Sequence, residues 1–333
     1  MNLVYWNNYY FTRDFQRYFE TKYWPDTQDL TEYVNSSSDY KIAILGYPIS
    51  SESLDQLLTC SERVFIILIE LHDNHAAFIK QHNHEKITWV LPGVIYGIDN
   101  YVFNSEWLFE HVRLYSKPII KRDLRELTPY ETKPYYFDSL FKTYNPHKIF
   151  VHQQITSKHL TDKILMRSWQ EDFIFPNELT EGHEASLTTY KGRHCLVASI
   201  VPINIYNQTA YSIITETQWN NSHFFLTEKI TKCLLAKRLF VVFSGVHWLR
   251  SFRSLGFKTF DNIIDESYDS IEDPHLRWQR AFEQVEYLLG QDQEKILASA
   301  REVLEHNLEH LWTTNWQFIR DQAMLDQIDF NLS

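Results

Sequence analysis

At 333 residues the chain exceeds the usual single-domain size, and with 44% hydrophobic and 16% aromatic residues it is globular and able to bury a large core. No apolar run approaches the roughly 20 residues needed to span a bilayer, the longest clean one being Val64–Ile69. A formal net charge of −11 disfavours a broad footprint on nucleic-acid phosphates, although Lys117–Arg125 and Arg250–Lys258 are locally basic.

The amino terminus lacks a basic flank followed by a small-residue cleavage site, so no signal peptide is expected, and its aromatic density reads as a first strand or helix. Lys41–Leu45 reads as a strand and Gly46-Tyr47-Pro48 as a turn. Ser50–Cys60 reads as a helix capped by Ser51, with Leu54, Leu57 and Leu58 on one face. Arg63–Leu71 is the clearest buried strand of the first half and carries Glu70 and His72 near its carboxyl end. Ile87–Leu91 is another strand, stopped by Pro92-Gly93, so strands and helices alternate as in a parallel sheet.

Between Thr128 and Asn145 the composition shifts to Pro, Tyr and Lys, which places a linker there. The expected division is an α/β domain over 1–135 and a second α/β domain over 136–333 ending in a helical tail. In the second half Lys148–Ile155, Cys195–Val201, Tyr211–Thr215 and Leu239–Phe243 read as strands. Thr227-Glu228-Lys229 opens a helix with Ile230, Leu234 and Leu235 on one face, Gly245–Gly256 holds a short helix, and Leu276–Leu289 and Glu294–Leu311 are amphipathic.

Cys60, Cys195 and Cys233 are odd in number and without metal-like spacing, which fits inert thiols in a reducing, cytoplasmic compartment. The sequons at Asn35, Asn207 and Asn220 then carry no glycan. The polar, Lys-containing surroundings of His75, His82 and His84 read as a solvated loop, with no zinc spacing. There is no Asp-x-Asp pair, no GxxxxGK[ST] loop and no GxGxxG, and only eight glycines in all. Walker-type ATPase and classical dinucleotide dehydrogenase chemistry are thereby excluded, and phosphate handling is expected to need no metal.

Tyr211–Gly245 is the informative stretch. A strand-helix-strand unit sets the strand's carboxyl end beside the helix's amino end, where phosphate-bearing ligands bind in open α/β sheets. Lysine in a helix's first turn opposes the dipole, so Lys229 calls for a nearby anion; the alternative is that Thr227-Glu228 is only a cap arrangement. A bound diphosphate is neutralised without metal by Lys, Arg and helix amino termini. Lys229, Lys142, His147, Lys148, Arg250 and Arg253 are the candidates, with a solvated helix face as the alternative for the two arginines. Asp265 and Glu266 either bond donor-sugar hydroxyls or sit in a solvated loop. Glu70 is either the general base for an acceptor hydroxyl or a capping, ion-paired carboxylate.

Thr215-Glu216-Thr217, Phe224–Lys229 and the helix and strand that follow, to Gly245, resemble the donor-binding segment of fucosyltransferase-like glycosyltransferases. The resemblance extends weakly through Leu249–Asp269, a segment similar to phage-encoded transferase-like proteins, and through Arg63–Leu71, covering roughly a third of the chain. It implies two Rossmann-like domains facing a cleft (GT-B-like), 1–135 on the acceptor side and 136–333 holding the nucleotide-sugar donor, with Glu216 and Glu228 at the nucleoside, Lys229 at the diphosphate and Glu70 as base. Thr217 stands where Asn is expected, and Ser244-Gly245 lacks the following Pro. The implied activity is metal-independent transfer of a sugar from a nucleotide-sugar to an acceptor hydroxyl, with inversion and no cofactor. The acceptor is a carbohydrate or small molecule, or alternatively a hydroxymethylated DNA base; a third reading is a non-catalytic sugar- or nucleotide-binding module.

Overall fold

The computed structural model describes residues 42–46, 49–61, 63–68, 71, 73–98, 100–103, 106–140, 145–167, 187–190, 193–196 and 200–316. Among them the protein is a mixed α/β structure with two four-stranded parallel sheets and ten α-helices. The chain divides into two compact units, 1–106 with 315–333, and 107–314. The boundary expected at 135/136 lies inside the second.

In the first unit, β1 (Ile42–Gly46), β2 (Arg63–Ile67), β3 (Ile87–Leu91) and β5 (Tyr101–Phe103) pair in that order, all parallel; β4 is Gly93–Ile95. Val64, Phe65, Ile66, Ile87 and Trp89 are fully buried, the pattern of strands covered on both faces. Helix α1 (Ser51–Cys60) packs Leu54 and Leu57 inward, and its cap is Ser50 rather than Ser51, the Ser50 hydroxyl accepting from the Ser53 amide at 3.1 Å. Helix α2 (Asp73–Gln81) takes in His75, so the histidine stretch is only partly a loop. Regular strand geometry in β2 ends at Ile67, four residues before the expected Leu71.

The second unit starts its regular structure with α3 (Glu106–Tyr115) and α4 (Pro118–Leu124). Its sheet consists of β6 (Tyr135–Leu140), β7 (Ile164–Arg167), β10 (Thr209–Thr215) and β12 (Leu239–Phe243), in the order β12-β10-β6-β7, all parallel. The chain therefore runs outward from β6 to β7 through α5 (Pro146–Ser157) and returns to the other side of β6 to form β10. That reversal is a topological switch point, the place where open α/β sheets bind ligands beyond the strands' carboxyl ends. β8 (Leu187–Tyr190) and β9 (Arg193–Leu196) form an antiparallel pair.

Two expectations are overturned here. Lys148–Ile155 is not a strand but the body of α5, begun by Pro146 at its first turn. Its buried stripe is His147, Lys148, Val151 and Ile155, and because the first two are polar the helical period is hidden from hydrophobicity alone. The supposed linker contains β6, an interior strand of the second sheet, disguised by Asp138 and Ser139 in its middle.

Asp138 is buried because it has a partner. Arg238, following the Lys237 turn at φ 50°, donates to Asp138 Oδ1 at 2.6 Å, to Ser212 Oγ at 2.8 Å, and to the carbonyls of Tyr206, Thr209 and Tyr211. It thus ties β6 and β10 to α6 (Ile203–Tyr206), stacked over the Tyr206 ring at 4.2 Å. On β12, Phe240 and Phe243 are three residues apart and so face opposite sides of the sheet. Phe240 packs against Trp248, Phe252 and Phe260; Phe243 packs against Phe282 of α9 (Pro274–Leu289). Helix α10 (Gln293–Thr313) packs on β12 and on the helix between β10 and β12.

Asp138→Ala leaves a buried, uncompensated guanidinium and is expected to destabilise the second unit by ~3–5 kcal/mol in chemical denaturation. Asp138→Ala combined with Arg238→Met is expected to cost less than the sum of the two single changes.

Candidate functional site at the switch point

Beyond the carboxyl ends of β6 and β10 the chain supplies two helix starts and one buried carboxylate. β10 ends at Thr215, so Glu216 is the first residue past the strand, and it has no solvent exposure. β11 (His223–Phe225) then leads into α7 (Glu228–Leu235), capped by Thr227. The Thr227 hydroxyl serves two neighbours: it accepts from the Lys229 amide at 3.3 Å and donates to Glu216 Oε2 at 2.5 Å. The Thr217 amide also donates to Glu216 Oε2, at 3.3 Å. Oε1 of the same carboxylate has no partner. Burial raises the Glu216 pKa, opposed by Lys229 and by the Thr227 hydroxyl.

From α5 come His147 and Lys148, both buried. His147 Nε2 lies 2.7 Å from the Glu216 carbonyl oxygen, which can only accept, so Nε2 carries the proton and Nδ1 is a bare acceptor with no partner. Burial, then the charge of Lys148, push the imidazole pKa down to about 3, so the ring is neutral. Lys148 is only 5% exposed, and its ammonium is pushed down to about 8 by burial and then by Lys229, with Glu216 and Glu228 acting the other way.

Lys229 is where the cluster meets solvent, its side chain a quarter exposed. Its ammonium lies 3.1 Å from Thr227 Oγ1, 3.2 Å from Thr217 Oγ1, 3.5 Å from Glu228 and 3.9 Å from Glu216. The first-turn lysine, unfavourable beside a bare helix dipole, is therefore already compensated within the protein by two carboxylates. Farther along α7, burial holds Lys232 down to about 8 against the pull of Glu228.

A second group of expected residues gathers beyond β12. The run at Asp265 is a 3₁₀ turn (Glu266–Ser270) rather than a solvated loop. The Glu266 carboxylate is consumed by Arg253 at 2.8 Å, Thr259 at 2.7 Å and the Phe260 amide at 2.7 Å. Asp269 caps α8 (Trp248–Ser254), accepting from the Leu249 and Arg250 amides. Arg253 is thus a structural ion-pair partner, while Arg250 is exposed and, with His247, Asp265, Ser267 and Ser270, lines a cavity of ≈ 640 Å³. Asp265 accepts from the Ser267 amide at 2.9 Å. Glu70, His72 and Lys142 lie outside the described residues.

Sequence reasoning missed Arg277. Buried on α9, it donates to the carbonyls of Ser244 at 3.0 Å and Ile271 at 2.5 Å, and so fixes the turn leaving β12. Its only sequence signal is an arginine on the otherwise apolar face of an amphipathic helix. In that turn a Cβ on Gly245 would collide with the Asn220 carbonyl oxygen, so the backbone crosses at a distance only glycine permits. Among the described residues no three His, Cys, Asp or Glu side chains converge as a metal set, and no helix is long and apolar enough to cross a membrane.

No family model matches the sequence, and no curated protein matches it. Among solved structures, the crystal structure of an alpha1,3-fucosyltransferase aligns with a TM-score of 0.40 at 10% identity, over 91% of this chain and 90% of that one.

Two outcomes follow from this geometry. Gly245→Ala is expected to destabilise the second unit by ~1–3 kcal/mol through overpacking against the Asn220 carbonyl, read as a lower denaturation midpoint. Because burial raises the Glu216 pKa, the stability this group contributes is present in acid and lost as pH rises through its folded value. Glu216→Gln is therefore expected to raise Tm at pH 7.5 by about 2–4 °C, with the gap to the native protein closing as pH falls to the ordinary glutamate range.

Proposed function

We propose that this chain is a glycosyltransferase that takes a sugar from a nucleotide-sugar, without a bound metal, and transfers it to an acceptor hydroxyl. The observation that carries this reading is the convergence, at the switch point of the second sheet, of Lys148, Lys229, two helix starts and a buried carboxylate with an unpartnered oxygen. Of these, Glu216 and Lys229 are residues that the resemblance of Thr215–Gly245 to fucosyltransferase-like donor segments assigns to the donor, and Lys148 joins them as a cation able to neutralise a diphosphate.

Glu216 Oε1 and His147 Nδ1 are acceptors without donors, and the hydroxyls or N–H groups of a nucleoside would supply them. Lys229 and Glu228, each about a quarter exposed, face the diphosphate; Lys148 and the first turn of α5 add positive potential behind them. Lys142 completes this group in the sequence-based reading. Arg250 and Asp265, lining the cavity beyond β12, would hold the sugar, whereas Glu266 serves to anchor that wall.

In the reaction the acceptor oxygen attacks the anomeric carbon as the bond to the diphosphate oxygen breaks. The hydroxyl proton passes to Glu70 and the charge that develops on the diphosphate is met by the lysines. Single displacement of this kind inverts the anomeric centre. The acceptor we favour is a carbohydrate or small-molecule hydroxyl, in keeping with the acidic chain.

A metal-free thermal-shift panel of UDP-, GDP- and CMP-sugars is expected to raise Tm with at least one donor, and silence across the panel refutes the transferase reading. Lys229→Met is expected to weaken that donor's binding roughly ten- to a hundred-fold, as the loss of a charge-assisted contact requires. Glu70→Gln should abolish turnover and leave nucleotide binding intact; an unchanged rate removes Glu70 from the chemistry.

A further inference from the structure

We infer that Trp219 is the platform on which the nucleobase of the donor stacks. The inference rests on the nucleotide-sugar reading above and adds to it the base subsite and the class of group it takes, a flat, uncharged aromatic ring.

Trp219 lies four residues past the end of β10, in the loop 216–222 that leaves the switch point for β11. It is half-buried, whereas Trp278 of α9, against which it rests edge to face with ring centroids 6.2 Å apart, is fully buried. Trp278 in turn meets the His147 ring at 6.0 Å and the Phe150 ring at 6.1 Å, both on α5. A row of rings thus runs along the carboxyl edge of the sheet from the start of α5 to the loop, and Trp219 ends it on the β10 side with part of its indole in solvent.

The loop is pinned around that indole. Ser244 Oγ donates to the Gln218 carbonyl at 2.8 Å, an Arg277 N–H to the Trp219 carbonyl at 3.4 Å, the Gln218 side-chain amide to the Asn220 carbonyl at 2.9 Å, and the Asn221 side-chain amide to the Glu272 carbonyl at 2.7 Å. Little conformational freedom is therefore left to lose when a ring lands on Trp219.

Charge divides the site in the same sense. Residues 217–222, Thr-Gln-Trp-Asn-Asn-Ser, carry none, whereas Lys229 stands at the start of α7 with its ammonium 3.2 Å from Thr217 Oγ1. A nucleoside diphosphate has the same two ends, a flat uncharged base and an anionic tail. Glu216 lies three residues before Trp219, a span of at most about 11 Å. A nucleoside held at Glu216 with its diphosphate toward Lys229 thus has its base within reach of the indole. Stacking uses the π-face that every base has, so it supplies affinity without choosing among bases.

The test is isothermal titration of the native protein and its variants with UDP, GDP, CMP, the corresponding nucleotide-sugars and inorganic pyrophosphate, without metal. Trp219→Ala and Trp219→Leu are expected to raise the Kd of each nucleotide that binds roughly five- to a hundred-fold and to leave that of pyrophosphate, which has no base, unchanged. Trp219→Phe, which keeps a ring, is expected to retain most of the affinity. Lys229→Met is the counterpart, expected to weaken pyrophosphate and nucleotide alike. Nucleotide affinity that is unchanged in Trp219→Ala, equal in the Leu and Phe variants, or lost in step with that of pyrophosphate overturns the inference and leaves the transferase reading standing. So does a loss confined to the nucleotide-sugars with the nucleotides unaffected, which puts the indole under the sugar. Failure of every nucleotide to bind the native protein overturns both.

Discussion

The second sheet depends on one buried ion pair. Asp138 enters the middle of an interior strand, where an unpaired carboxylate would be prohibitive, and Arg238 reaches it from 100 residues later in the chain. The guanidinium also takes carbonyls from α6 and β10, so each of its donors is committed. An ion pair of this kind need not add net stability over an apolar alternative. It is, however, geometrically demanding: only the order β12-β10-β6 brings Asp138, Ser212 and Arg238 together, and that order creates the switch point.

At the other end of the same strands the polar groups are incompletely satisfied. Glu216 has one saturated oxygen and one bare one, and His147 has a donor engaged and an acceptor idle. Buried polar atoms are nearly always paired, and Glu216 Oε1 and His147 Nδ1 are two exceptions at the switch point. Burial and then the charge of Lys229 also push the Lys148 ammonium down to about 8, with Glu216 and Glu228 acting the other way. The neighbouring turn is held differently: Gly245 against Asn220, Asp269 on α8 and Arg277 on Ser244 make a rigid wall from which Arg250 projects.

Local periodicity made much of this legible. β3, β12, α9 and α10 fall within a few residues of their expected limits because each carries its apolar pattern in its own residues, and Thr227 announces the start of α7 by its chemistry. The misreadings share one cause. β6 looked like a linker because Pro, Tyr and Lys crowd its flanks while Asp138 and Ser139 interrupt its apolar run, and α5 looked like a strand because His147 and Lys148 occupy its buried face. Hydrophobicity cannot register a polar residue that is buried for a reason lying elsewhere in the chain.

Sequence by itself singled out the residues that gather at the switch point: Glu216, Thr227, Glu228, Lys229, His147 and Lys148 are named by type and by their places at strand and helix ends. Only the tertiary structure decided what those residues do to one another. It gave Lys229 two carboxylates in place of an external anion, spent Glu266 on Arg253, Thr259 and the Phe260 amide, left Glu216 Oε1 and His147 Nδ1 idle, and put Lys148 beside a like charge. The physical reason is that apolar burial follows short-range period, whereas the state of a buried charge is set by whichever groups the fold brings within a few ångströms of it.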